Sequence, residues 1–159
     1  MILTIRDIEM NINSAIIWMF VGSLVIGIYF NGMNVLADDF NHLYFSSTTL
    51  IYSALLMASL MCVLEVLMHY DHTNELNINY LITFLTLSVM MIFFLRQQVG
   101  VNDNQWLKRM ISHHSTAITT SKKRLEKSKN KDVRKLASSI ISQQEKEIKL
   151  MVSLLQDDD

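Results

Sequence analysis

Two histidines stand side by side in "RMISHHSTAI", residues 109–118, in a chain that holds only five. Imidazole can bind a metal, move a proton or simply hydrogen-bond, so its setting decides its use. His114 follows Leu107 by seven residues and Met110 by four, which puts it on the apolar stripe of a helix. His113 comes three residues after Met110 and four before Ala117, beside that stripe. An imidazole in an apolar seam needs a partner, because an unpaired polar group there costs about 1–3 kcal/mol. Downstream, Gln144, Glu147 and Met151 succeed one another at spacings of three and four, alongside Ile140 and Ile148. Imidazole nitrogen, carboxylate oxygen and thioether sulfur thus converge on one helical seam. Imidazole suits copper, iron and zinc; thioether favours copper; carboxylate widens the choice toward iron or manganese. The competing expectation is that His113 and His114 hydrogen-bond to Gln144 and Glu147 and only specify packing.

A second constellation lies upstream. Met57, Met61, Glu65 and His69 are each four residues apart and line one side of a helix. Glu65 closes an otherwise uncharged run, where a carboxylate is expensive and usually faces a partner or a polar cavity. The stripe reads either as a track that passes a soft metal ion, or as packing methionines below a snorkelling Glu65. Asp71 and His72 extend it into the following turn, while His42 carries no evident role. Cys62 is the chain's one cysteine, which excludes an intramolecular disulfide and a Cys-only zinc site.

The elements that must hold these groups fall into two kinds. Half the residues are hydrophobic and the formal net charge is −1, yet among the Lys and Arg only Arg6 precedes Arg96. An apolar front and a basic, polar back mark a membrane part joined to a water-exposed part. Three uncharged runs, Asn13–Ala37, Leu43–Leu64 and Leu76–Leu95, approach or exceed the roughly 20 residues that cross a hydrocarbon core. None shows the polar face that a soluble core helix would need. They predict three transmembrane helices joined by "ADDFNH" and "HYDHTNE", with a membrane domain over 1–96 and the lipid bilayer as a partner.

Beyond Arg96, "QQVGVND" reads as a linker and Asp103 as the N-cap of a helix to about Lys127. "KSKNKD" is a turn, and a second helix follows from Asp132 to about Leu155. Both carry apolar residues at three-and-four spacing, so residues 97–159 form an antiparallel hairpin. A lone hairpin cannot surround its own stripe, so it is expected to complete a four-helix bundle as a homodimer or higher homo-oligomer. The fold class is all-α.

Other classes of function find little footing. The basic residues of the back end are interleaved with acids and its aromatics are sparse, which argues against nucleic acid. There is no Gly-rich phosphate loop and no glycine-framed serine. Bundle oxidases use several carboxylates with Glu-x-x-His pairs, and each hairpin here offers Glu147 and one His pair, so no enzyme is expected. Arg6 favours an inside N-terminus; Arg96, Lys108 and Arg109 favour an inside C-terminus.

"WLKRMISHHSTAI" followed by "KLASSIISQQEKEIKLM" resembles the ferritin-like domain-of-unknown-function 305 family. The residues that carry the resemblance are Met110, Ile111, His113, His114, Gln144, Glu147, Ile148 and Met151. "HLYFSSTTLIYSALLMASLM" is similar to the second span of members with a three-helix membrane region. The resemblance implies metal association, copper above all, with iron or zinc as alternatives, at the bacterial cytoplasmic membrane with the hairpin outside. One position departs: the family's proline before the first histidine is Ser112, which leaves the helix straighter. The expected site is His113, His114, Glu147 and Met151, with Met110 beside it and Gln144 orienting an imidazole. The expected role is sequestration, sensing or delivery of copper; an oligomerisation module or a small metal transporter are the alternatives.

Overall fold

The structure is a computed structural model that describes residues 12–157, all of whose regular elements are helical. Arg6, on which part of the orientation argument rests, lies outside the described residues. Three long apolar helices come first: α1 (Ile12–Tyr29), α3 (Thr48–Thr73) and α4 (Ile78–Gln97). Between the first two lie a single-turn helix, α2 (Gly32–Val35), and a 3-10 turn, Phe40–His42. The hairpin follows as α5 (Asp103–Lys127) and α6 (Lys131–Asp157). Chain contacts divide the molecule into two units, Met1–Gly27 with Tyr52–Gln97 and Ile28–Ile51 with Gln98–Asp159. The segment after the first span thus belongs with the hairpin, whereas the sequence reading assigned it to the membrane part.

In the first unit the helices are long and apolar enough to cross a membrane. They expose Trp18, Val21, Leu64, Ile82, Val89 and Phe93, a pattern suited to lipid rather than water. Where helices meet, the residues are small. Ala54, Ala58, Cys62 and Val66 recur every four residues along α3 and are buried. Gly27 lies against Ala54, where an added Cβ would sit 3.0 Å from the Ala54 Cα. Ser59 and Ser88 share a buried hydrogen bond of 2.8 Å, and whichever hydroxyl accepts in it keeps its proton for a carbonyl of its own helix, Leu56 for Ser59 or Phe84 for Ser88. Small residues allow close backbone approach, and hydroxyls bonded within the fold avoid stranding polar groups in hydrocarbon.

Two helix ends differ from expectation for local reasons. The first run was predicted to Ala37, but α1 stops at Tyr29. Asn34 Nδ2 donates to the Ile28 carbonyl at 2.7 Å and Asn31 caps α2, which together redirect the chain. The second run was predicted only to Leu64, yet α3 continues through "EVLMHYDHT" because nothing in it breaks a helix. It ends where Asn74 adopts a left-handed φ of 58° and its N–H bonds the Tyr70 carbonyl.

The second unit is organised on the hairpin. Leu107, Ile111 and Ile118 of α5 pack with Ile148 and Met151 of α6, and Met110, Ile141 and Leu155 pack against them. The cap of α5 is Asn102, one residue before the predicted Asp103; its side chain accepts from the Gln105 N–H at 2.9 Å. Asp103 instead supplies negative charge to the first turn. Asn130 serves α6 likewise, accepting from the N–H groups of Asp132 and Val133.

Candidate metal centre

His114 and Glu147 do meet. Their shared level on the hairpin brings His114 Nε2 to 3.2 Å from Glu147 Oε2. The carboxylate also accepts from Gln143 Nε2 at 2.7 Å and from Gln144 Nε2 at 3.4 Å. Gln144 therefore acts on the carboxylate rather than on an imidazole. Two amide donors thus orient the Glu147 carboxylate beside the His114 ring at the edge of the seam.

The ring of His114 poses a proton problem. Its side chain is only 13% exposed, and its buried Nδ1 has no partner besides the backbone of Met110. Burial pushes the imidazole's pKa below its ordinary 6.5, against Glu147 and the Met110 backbone, which both favour the cation; neighbouring His113 adds to the lowering. The neutral ring has one proton for two nitrogens. Placed on Nε2, it satisfies Glu147 and leaves a lone pair buried at Nδ1. Placed on Nδ1, it sets the Nε2 lone pair against a carboxylate. A cation between Nε2 and Oε2 would occupy the Nε2 lone pair and leave the proton on Nδ1, directed at the Met110 backbone.

The other expected ligands are distributed differently. Adjacent residues on a helix are 100° apart, so the two histidines cannot share a direction. His113 is exposed, its ring edge-on to that of His114 with centroids 5.9 Å apart. Met151 is buried within the hairpin core, where its thioether packs with leucine and isoleucine. Met110 is half-buried against the same core. Among the described residues no three His, Cys, Asp or Glu side chains gather as a metal-holding group. In the first unit, Met57, Met61, Glu65 and His69 are all half-buried, next to the buried line of Ala54, Ala58, Cys62 and Val66.

One set of residues was missed by sequence reasoning. The segment Asn31–Ser47 lies along α5 and is fastened by hydroxyl groups. Ser115 Oγ accepts from the Asp38 N–H at 2.7 Å and lies 3.0 Å from His42 Nδ1. Ser112 Oγ donates to the His42 carbonyl at 2.6 Å, and Thr116 Oγ1 to the Met33 carbonyl at 3.0 Å. Lys122 Nζ grips both carboxylate oxygens of Asp38, at 2.8 and 2.7 Å. Gln105 Oε1 accepts from the Thr48 N–H at 2.8 Å. His42 thus has a structural place, and Ser112 has a bond that proline could not make.

The description "Domain of unknown function (DUF305)" matches residues 89–155. A relative, an uncharacterised protein of Acanthamoeba polyphaga mimivirus, is 33% identical over 143 residues, covering 90% of this chain and 92% of its own. No solved structure matches.

Proposed function

This chain belongs to the domain-of-unknown-function 305 family, and from that premise we propose that it is an integral membrane protein whose hairpin binds a transition-metal ion between His114 and Glu147. The observation that carries the reading is the buried ring of His114, which cannot satisfy both nitrogens with one proton beside a carboxylate 3.2 Å away. A metal ion on Nε2 and Oε2 would free the proton for Nδ1 and draw on a carboxylate already oriented by Gln143 and Gln144. Nitrogen and carboxylate donors suit copper(II), with zinc or iron(II) as alternatives. Core packing accounts for Met151, so a thioether-rich copper(I) site receives less support than the sequence suggested.

The three apolar helices support a place in a membrane. The bacterial cytoplasmic membrane was expected from the resemblance alone, and the relative comes from a giant virus. We therefore confine the proposal to a membrane protein whose hairpin faces the extracytoplasmic side. A reporter at the C-terminus that is active only in the cytoplasm would reverse that orientation. Binding for sequestration, sensing or delivery is proposed, rather than catalysis.

The test is metal content. Full-length protein in detergent is loaded with a mixture of copper, zinc, iron and manganese, cleared of excess ions and analysed by mass spectrometry. Copper retained by the wild type and lost from the His113→Ala, His114→Ala variant supports the reading. Equal, near-zero metal in both would make the hairpin a packing and oligomerisation module.

A further inference from the structure

The hairpin has two flanks beside its packed seam, and one of them is closed. The segment Asn31–Ser47 covers it through the bonds of Ser112, Ser115, Thr116 and Lys122. The other flank is open. On α5 it presents Trp106, Met110 and His113, spaced by four and three; on α6 it presents Glu147, Leu150 and Leu154, spaced by three and four. This is the spacing by which helices pack on helices. Trp106, Leu150 and Leu154 are 50%, 59% and 45% exposed, and their spacing joins them into one apolar strip. In an antiparallel hairpin whose His114 and Glu147 meet, Trp106 stands level with Leu154 and Met110 with Leu150. His113 and Glu147 lie at the middle level, between these residues and Leu136, which is 61% exposed on the same face of α6 towards its other end, so a polar pair sits at the centre of an apolar flank.

We infer that a second copy of this chain docks on this open flank, and that His113 of each copy reaches across to Glu147 of the partner subunit. The inference rests on the metal reading of His114 and Glu147, and it names the partner that completes that site. A second copy is favoured over another occupant by complementarity. A two-fold pairing that keeps like levels together sets an exposed imidazole donor from each side against a carboxylate from the other, and apolar residues against apolar residues. It also answers the shortage of ligands: one hairpin supplies a His–Glu pair, and the partner's His113 adds the third donor that neither copy gathers alone. Since the opposite flank is taken, the contact closes as a pair rather than extending as a filament. Chains confined to one membrane meet at high effective concentration, so even a small interface suffices.

The test separates docking from metal binding. Cys62→Ala chains are made with a single new cysteine, either His113→Cys on the open flank or Glu145→Cys, an exposed position on the closed flank. Both are treated in detergent without any metal, using a flexible bis-maleimide long enough to reach from one 113 position past Glu147 of the partner subunit to the other, and run on denaturing gels. The inference expects a cross-linked dimer at position 113 and little at 145, with light scattering of the unmodified protein giving two chains per particle. Equal cross-linking at both positions, or none at either with a monomeric particle whose flank is taken by lipid or another protein, overturns it. In parallel, His113→Ala is expected to lower retained copper several-fold in chains that still pair. Metal held undiminished by His113→Ala would overturn the role of His113. Cross-linking at 113 in a protein that retains no metal would overturn the metal reading and leave the docking in place.

Discussion

The two flanks of α5 are built from different chemistry. On one, three hydroxyls and a lysine meet partners within the chain, two of them backbone carbonyls of the segment after the first span. On the other, an aromatic and a histidine face outward without such cover, beside a methionine half-buried against the core. The difference teaches where each residue's free energy is spent. A hydroxyl that bonds a loop carbonyl stabilises this fold; an exposed imidazole beside a bonded carboxylate contributes nothing to the monomer and is available to a ligand. Substitutions on the closed flank should therefore cost stability and spare metal, and those on the open flank should do the reverse.

The largest effect is expected at Ser112. Ser112→Pro restores the residue of the resembling family but removes a backbone N–H inside α5 and the hydroxyl bond to the His42 carbonyl. A loss of about 3 kcal/mol or more is expected. Hydrogen–deuterium exchange should show faster labelling of both α5 and the 38–43 segment. Unchanged exchange would mean that the segment is held by other contacts.

Ser115→Ala is the next. It strands the Asp38 N–H and removes the neighbour of His42 Nδ1. About 1–3 kcal/mol should be lost, since a partly buried donor is left unmade. Retained copper should stay at the wild-type level, because the substitution lies on the flank away from Glu147. A loss of metal equal to that of His114→Ala would erase the distinction between the flanks.

On the open flank, His113→Ala should change unfolding stability by less than about 0.5 kcal/mol, as expected for an exposed site. A larger loss in dilute, monomeric protein would show that the ring supports the hairpin itself.

The smallest effect is a pH dependence in metal-free protein. The pKa of His114 is lowered on folding from the ordinary 6.5, so the unfolded chain binds more protons in that range. The contribution of the neutral ring is present above the unfolded value and is lost as pH falls through 6.5 toward the folded value. Unfolding followed from pH 8 to 5 should show stability declining on the acid side, and His114→Gln should flatten that slope. A slope that persists in His114→Gln belongs to another group.

Much of this architecture was readable in the residues. Runs of uncharged apolar side chains announce the spans, and three-and-four spacing announces the hairpin, because both signals are properties of single elements. The meeting of His114 with Glu147 followed from the same periodicity on facing helices. The fastening of the segment after α1 was not readable. Ser112, Ser115 and Thr116 look like ordinary polar helix positions, and two of their partners are backbone carbonyls, which have no sequence signature. His42 gave no signal for the same reason: its partner is 73 residues away. The separation of His113 from His114 was available from the 100° step between helix neighbours, but the apolar stripe is broad enough to admit both. The place of Met151 on the apolar stripe reads as a ligand's, and its burial among isoleucines equally suits a packing role.

The central claim is that His114 and Glu147 hold the metal while the neighbouring sulfur only packs. Copper content after loading and washing, measured by mass spectrometry in wild type, His114→Ala, Glu147→Gln and Met151→Leu, tests it most directly. Copper retained by the wild type and Met151→Leu but lost from the other two is the predicted result. Copper lost from Met151→Leu and kept by Glu147→Gln would contradict the account and move the site into the hairpin core.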